Sequence, residues 1–102
     1  MAAVNTKTDL FEQLISHRQE LRDFGVKELG VFGSFLTTKV RVDSDVDLLV
    51  EFEPGQKSFD NFMDLSFYLE KLLGRRVEIV TPQSLSKYIG PLILNQVEHV
   101  RF

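Results

Sequence analysis

One apolar run in the middle of the chain constrains the fold more than any other feature. Apolar side chains occupy both odd and even positions of this run, at Leu48, Leu49, Val50 and Phe52. Successive side chains of a strand point to opposite faces, so this pattern indicates a strand that is covered on both sides. The sequence therefore predicts a central strand over residues 45–53, ended by the turn at Pro54-Gly55.

The segments around this strand alternate between helical and extended periodicity. We predict helices over 8–24 and 60–73, strands over 26–32 and 76–80, a short helix over 81–88, an interruption at Gly90-Pro91 and renewed helix over 92–98. Gly25 and Gly74 are the expected helix stops. This order predicts an α/β (α+β) fold in which a small mixed sheet is backed by helices. A chain of 102 residues is expected to form one domain, 1–102.

Composition excludes several classes of protein. Cysteine is absent, which excludes a disulfide framework and a Cys-ligated metal. The net charge of −3 argues against a general nucleic-acid binder, because phosphate binding on that scale needs a basic surface. No apolar run has the length of a membrane span, so we expect a cytoplasmic protein. Nine Phe predict a core filled with rings, including the aromatic run Phe59, Phe62, Phe67 and Tyr68.

Three acidic side chains and one small turn are the candidates for chemistry. Asp45 and Asp47 lie two apart, so on a strand they share a face, where a divalent cation such as Mg²⁺ would offset their repulsion. The alternative is a solvated start of the strand. Glu78 alternates with apolar residues, as a placed carboxylate or as the exposed side of an edge strand. Gly33-Ser34 follows a predicted strand and either binds phosphate through its backbone or is an ordinary turn.

The spacing of these residues resembles a known signature. Gly33-Ser34, ten intervening residues and Asp45-Val46-Asp47 match the Gly-Ser-x10-Asp-x-Asp pattern of the DNA polymerase β-type nucleotidyltransferase superfamily. The surrounding sequence looks like its minimal nucleotidyltransferase (MNT) branch, which carries a third carboxylate at the position of Glu78. The likeness extends over residues 26–98, and it implies the nucleotidyltransferase-like fold.

The resemblance also implies a function. Asp45, Asp47 and Glu78 would be the catalytic and metal-binding residues for Mg²⁺, and Gly33 and Ser34 would bind the phosphates of ATP. Proteins of this branch are expected to act as antitoxins that transfer AMP to a tyrosine of a HEPN-domain toxin, in a hetero-oligomer with it. A second hypothesis is a non-catalytic antitoxin that neutralises the toxin by binding alone. It is motivated by residues 36–38, Leu-Thr-Thr, where the branch often has Ala-Arg-Gly.

A third, weaker hypothesis is transfer to a small molecule or to RNA. Because we expect the 102 residues to form one domain, we expect no separate substrate domain for a small molecule. The net charge of −3 disfavours an RNA acceptor. We therefore expect the acceptor to be a protein that docks on the domain.

Overall fold

A single mixed sheet forms the centre of the molecule. The structure is a computed structural model that describes residues 3–37 and 40–101. Its strands are β1 (Val26–Phe32), β2 (Val46–Phe52), β3 (Val77–Val80) and β4 (Glu98–Val100). They lie in the order β3-β2-β1-β4, with β1 antiparallel to β2 and β4, and β2 parallel to β3. The prediction of a small mixed sheet with an internal β2 is confirmed.

The helices begin and end at residues whose chemistry explains the boundary. They are α1 (Lys7–Ser16), α2 (Arg18–Asp23), α3 (Phe59–Leu73) and α4 (Gly90–Gln96), with short 3₁₀ turns at Gly33–Leu36 and Pro82–Ser84. The Thr6 and Ser58 hydroxyls cap α1 and α3 by accepting backbone N–H bonds, and Gly74 ends α3 with a positive φ of 67°. Among the described residues, no helix is long and apolar enough to cross a membrane.

The predicted helix over 8–24 is two helices, because the chain leaves the helical region at His17. The backbone of His17 has φ −111° and ψ 24°, and its ring Nδ1 lies 2.9 Å from the Gln13 carbonyl oxygen. A side chain that competes for a helical carbonyl favours a break of this kind. The apolar periodicity continues across the break, which explains why the sequence indicates one helix.

Leucine and valine, rather than phenylalanine, fill the core. One face of the sheet packs on α1 and α3, and of the phenylalanines in the described ranges Phe35 is the one that is fully buried. Phe59 and Phe67 are 78% and 61% exposed, so the prediction that the aromatic run is core-forming was wrong for these two rings. The inward stripe of α3 is formed by Leu65, Leu69, Leu72 and Leu73, which places both rings on its solvent side.

The C-terminal part departs furthest from prediction. Residues 81–88 contain only the turn Pro82–Ser84, and Gly90-Pro91 begins α4 instead of interrupting a helix. Proline suits the first turn of a helix, where its missing N–H is not needed. Glu98, the predicted last residue of the helix over 92–98, instead begins β4, which pairs with β1. Three residues are too few to show a strand period, so tertiary pairing decides their structure.

Candidate active site

The second face of the sheet carries the acidic residues. Asp47 on β2 and Glu78 on β3 alternate with core residues and therefore project from the face opposite α1 and α3. A cleft of about 450 Å³ lies on this face and is lined by Asp47, Glu78 and Gly33, with an apolar wall that includes Ile89 and Ile93 of the α4 region. This volume falls within the range of small-molecule sites.

Asp47 and Glu78 are brought together by strand pairing. They are register partners in the parallel β2–β3 ladder, so their side chains leave the same face of adjacent strands, whose spacing is about 4.8 Å. The pKa of Asp47 is raised to about 6, first by burial, then by the charges of Glu78 and Asp45, and by a side-chain hydrogen bond with Glu78. The site therefore concentrates negative charge and favours the approach of a cation.

Asp45 belongs to the same electrostatic group. It immediately precedes β2, is half-buried and contributes to the raised pKa of Asp47. Within the described ranges, no three His, Cys, Asp or Glu side chains converge as a metal cage. Mg²⁺ usually takes only one or two carboxylates and completes its shell with water and phosphate oxygens. The donor chemistry of Asp45, Asp47 and Glu78 therefore fits a magnesium ion that is bound together with a nucleotide.

Gly33 places backbone directly against this carboxylate group. It begins the 3₁₀ turn after β1 with φ 79°, and a Cβ added there would overlap the Asp47 carboxylate. Phosphate oxygens bound to this turn would consequently lie beside Asp47. Ser34 is half-buried in the same turn, and its carbonyl accepts hydrogen bonds from the Thr37 N–H and the Thr37 hydroxyl at 3.0 and 2.9 Å. These two bonds fix the shape of the turn.

Arg75 connects several segments around the site through its guanidinium. The guanidinium donates to the carbonyl oxygens of Val4 at 2.5 Å, Arg41 at 2.8 Å and Ser44 at 2.9 Å. Its Cζ lies 5.2 Å from the centroid of the Phe35 ring. Arg75 thereby ties the turn that leads into β2 to the turn that begins at Gly33. The sequence gives little indication of these contacts, because every residue has a backbone carbonyl and no residue type marks the ones that Arg75 binds.

Comparison of the chain with known protein families agrees with this geometry. The sequence profile described as "Nucleotidyltransferase domain" matches residues 14–100. The chain belongs to the nucleotidyltransferase family. The matched range contains the Gly33 turn, both aspartates of the signature and Glu78, so all five residues predicted for the site lie within the family's domain.

Relatives place the chain in the minimal branch. It is 43% identical over 99 residues to the protein adenylyltransferase MntA of Thermococcus cleftensis, covering 96% of this chain and 99% of that one. A solved structure assigned as a minimal nucleotidyltransferase matches with a TM-score of 0.71 and 34% identity, over 86% of this chain and 93% of that chain. The resemblance that the sequence motif indicated is therefore confirmed, and the protein is a nucleotidyltransferase enzyme.

A more distant structure shows the same fold in a complex. It contains a tri-AMPylated HEPN toxin of Shewanella oneidensis with an MNT antitoxin, and it matches with a TM-score of 0.67 and 18% identity, over 94% of this chain and 72% of that chain. At this identity the likeness concerns the fold alone. It nonetheless shows that this architecture occurs in a toxin–antitoxin pair.

The structure gathers three of the five predicted residues at one cleft. Gly33, Asp47 and Glu78 line it, whereas Asp45 acts on it through its charge. Ser34 lies in the adjoining turn. In this nucleotidyltransferase, the Gly33 turn and the carboxylates of Asp47 and Glu78 therefore form one continuous surface.

Proposed function

We propose that this nucleotidyltransferase is an antitoxin that transfers AMP from ATP to a tyrosine hydroxyl of a HEPN-domain toxin. The observation that carries the proposal is the convergence of Asp47, Glu78 and the Gly33 turn at one open cleft. The adenylyltransferase activity named for the relative from Thermococcus cleftensis supports the reaction. The toxin complex of Shewanella oneidensis supports the kind of partner. ATP and a protein acceptor of this kind are expected together in the cytoplasm.

The carboxylates would hold Mg²⁺ with the triphosphate. Asp45 and Asp47 would bind the ion, and Glu78 would complete the site from the neighbouring strand. When bound, Mg²⁺ neutralises phosphate charge and favours departure of pyrophosphate. The residues of the chain supply the position, because β2 and β3 fix the two carboxylates of the Asp47–Glu78 pair relative to each other.

The Gly33 turn would orient the phosphates. The backbone N–H groups of a short turn can donate to phosphate oxygens, and the hydroxyl of Ser34 adds a further donor. Since Gly33 lies against Asp47, phosphates bound by the turn remain next to the acidic group. The net charge of −3 makes these local donors and the cation the main attraction for a polyanion.

The transfer step is a substitution at the α-phosphorus of ATP. The tyrosine oxygen forms a bond to this phosphorus, and the bond from the phosphorus to the bridging oxygen of pyrophosphate breaks. We assign the phenolic proton to a carboxylate of the cleft, and Glu78 is our choice because its side chain is exposed and can pass the proton on to solvent. Catalysis here consists chiefly of positioning and charge stabilisation.

Two positions of the label in ATP test the reaction. The purified chain is incubated with a HEPN-domain toxin, Mg²⁺ and ATP that is labelled at either the α- or the γ-phosphate. We expect the toxin to acquire the α-label, while the γ-label is released in pyrophosphate. Transfer of the γ-label would identify a kinase, and no transfer of either label would remove the enzymatic proposal.

Neutralisation by binding alone is the second candidate function. The favouring observation is the sequence at 36–38, which lacks the arginine and glycine common in this branch. Leu36 is the last residue of the Gly33 turn and Thr37 follows it, whereas Thr38 lies outside the described residues. The double variant Asp45→Ala/Asp47→Ala distinguishes the two functions. If it still protects cells from the toxin and still forms the complex, binding suffices; loss of protection with an intact complex supports catalysis.

A further inference from the structure

Exposed apolar side chains lie where the chain approaches α4. Tyr88 is 78% exposed, Ile89 57% and Leu92 62%, and we call these three residues the α4 patch. Residues 82–97 contain a single charged side chain, Lys87, although charged residues make up 26% of the whole chain. The Lys87 ammonium lies 5.4 Å from the centroid of the Tyr88 ring. Clustered apolar exposure with so little charge is uncommon on a protein surface and marks an interaction site.

The α4 patch is continuous with the active-site cleft. Ile89 lines the cleft together with Asp47 and Glu78, yet more than half of its surface is open to solvent. Leu92 follows Ile89 by three residues, which places the two side chains on the same side of the helix. A macromolecule that inserts a hydroxyl group into the cleft beside Glu78 therefore passes over Ile89, the patch residue that the cleft includes.

Building on the proposed function, we infer that the α4 patch is the docking surface for the protein acceptor and receives an apolar segment that flanks the acceptor hydroxyl. Its near absence of charge disfavours RNA, whose binding depends on several lysines and arginines. Three side chains are also too few for the roughly 800 Å² per partner that a stable dimer of this chain would bury. An interface with a protein acceptor can be centred on a few anchors, and an exposed tyrosine such as Tyr88 is a frequent one.

Two pairs of equally exposed residues allow a matched experiment. The double variant Tyr88→Glu/Leu92→Glu alters the patch, and Phe59→Glu/Phe67→Glu alters α3, where the exposed fractions are almost the same, 78% and 61%. The KM for a HEPN-domain toxin, the KM for ATP and kcat are measured for each. We expect the patch variant to raise the KM for the toxin about tenfold or more, with the KM for ATP unchanged. The α3 variant should stay within about twofold of wild type.

Four other outcomes would contradict the assignment of the α4 patch as the docking surface for the acceptor. Equal KM values for the toxin in the two double variants would overturn it, as would an equal rise in the KM for ATP, which would indicate damage to the cleft itself. A wild-type dimer that the patch variant dissociates would assign the patch to a second copy of this chain. Loss of binding to an RNA oligonucleotide would assign it to RNA.

A binding measurement separates this inference from the proposed function. If the wild-type chain transfers no AMP, the proposed reaction fails, and the Kd of its complex with the toxin is measured by calorimetry instead. A Kd that rises about tenfold in the patch variant alone still supports docking at α4. An unchanged Kd, or no complex with the wild type, overturns it.

Discussion

Asp47 and Glu78 are register partners on adjacent parallel strands, and the pKa of Asp47 is raised to about 6. Pairing of β2 with β3 thus forces two carboxylates together, with Asp45 close enough to add to the effect. Such repulsion is unfavourable to the fold and is relieved by a proton or a cation. The arrangement is understandable if the site is built for a bound cation and its nucleotide.

The raised pKa predicts how the metal-free protein responds to pH. An ordinary Asp has a pKa of 3.8, so between about pH 4 and 6 the folded state binds more protons at Asp47 than the unfolded state does. The contribution of this group to stability is therefore lost as pH rises through 6. Thermal unfolding in EDTA should show Tm falling from pH 5 to 7, to an extent that Asp47→Asn reduces.

Asp64→Asn provides the control for this pH dependence. Asp64 is exposed on α3, away from the acidic group, so its variant should retain the wild-type slope of Tm against pH. Added Mg²⁺ with ATP should stabilise the wild type more at pH 7 than at pH 5, because ligands must be deprotonated to bind a metal. The same slope of Tm against pH in Asp47→Asn and in the wild type would show that the Asp47 carboxyl does not cause the pH dependence.

The close approach of Gly33 to Asp47 predicts a strong effect of a single methyl group. Gly33→Ala combines a positive φ of 79° with overlap of the Asp47 carboxylate, whereas Gly55 has φ 81° and nothing within 4 Å of an added Cβ. Urea denaturation should give a loss of about 1 kcal/mol for Gly55→Ala and about 2–4 kcal/mol for Gly33→Ala. Equal losses of unfolding free energy in the two variants would mean that backbone strain, and not the contact of the added methyl group with Asp47, causes the destabilisation.

The contacts of Arg75 predict that its substitution lowers both the stability of the fold and the activity of the enzyme. Arg75→Met removes donors from the carbonyl oxygens of Val4, Arg41 and Ser44, and we expect a loss of about 2–4 kcal/mol in the free energy of unfolding. The neighbouring Arg76 is exposed, so Arg76→Met should lose no more than about 0.5 kcal/mol.

The kinetics of the two arginine variants test what Arg75 does. At a temperature where it remains folded, Arg75→Met should raise the KM for ATP, because the turns at 33–36 and 41–44 are no longer held together. Arg75→Lys should recover part of this loss, since it keeps one charged donor. If Arg75→Met leaves the KM for ATP at the wild-type value, Arg75 stabilises the fold without positioning the site.

The sequence anticipated those parts of the molecule whose residues carry a local pattern. Apolar residues at both parities identified β2, and the motif spacing identified the Gly33 turn and Asp47, which the structure brings together. Glu78 was ambiguous in sequence, because only pairing of β3 with β2 decides which face it shares with Asp47. Local pattern therefore indicated the elements, and strand pairing completed the site.

The features that were missed depend on contacts between distant segments. β4 has three residues and exists through pairing with β1. The hydrogen-bond acceptors of Arg75 are carbonyl oxygens up to 71 positions away. They cannot be predicted from a pattern of residue types. Phe59 and Phe67 look like core residues by composition, yet the leucine stripe of α3 takes the inward face.

The most direct test of the account is the mass of the toxin after incubation with the chain, ATP and Mg²⁺. Wild type and Asp64→Asn should add whole AMP groups to the toxin, whereas Asp47→Asn and Glu78→Gln should lower the rate about a hundredfold or more. Circular dichroism would confirm that both inactive variants are folded. AMP addition by folded Asp47→Asn and Glu78→Gln at the wild-type rate would contradict the assignment of the cleft as the catalytic site.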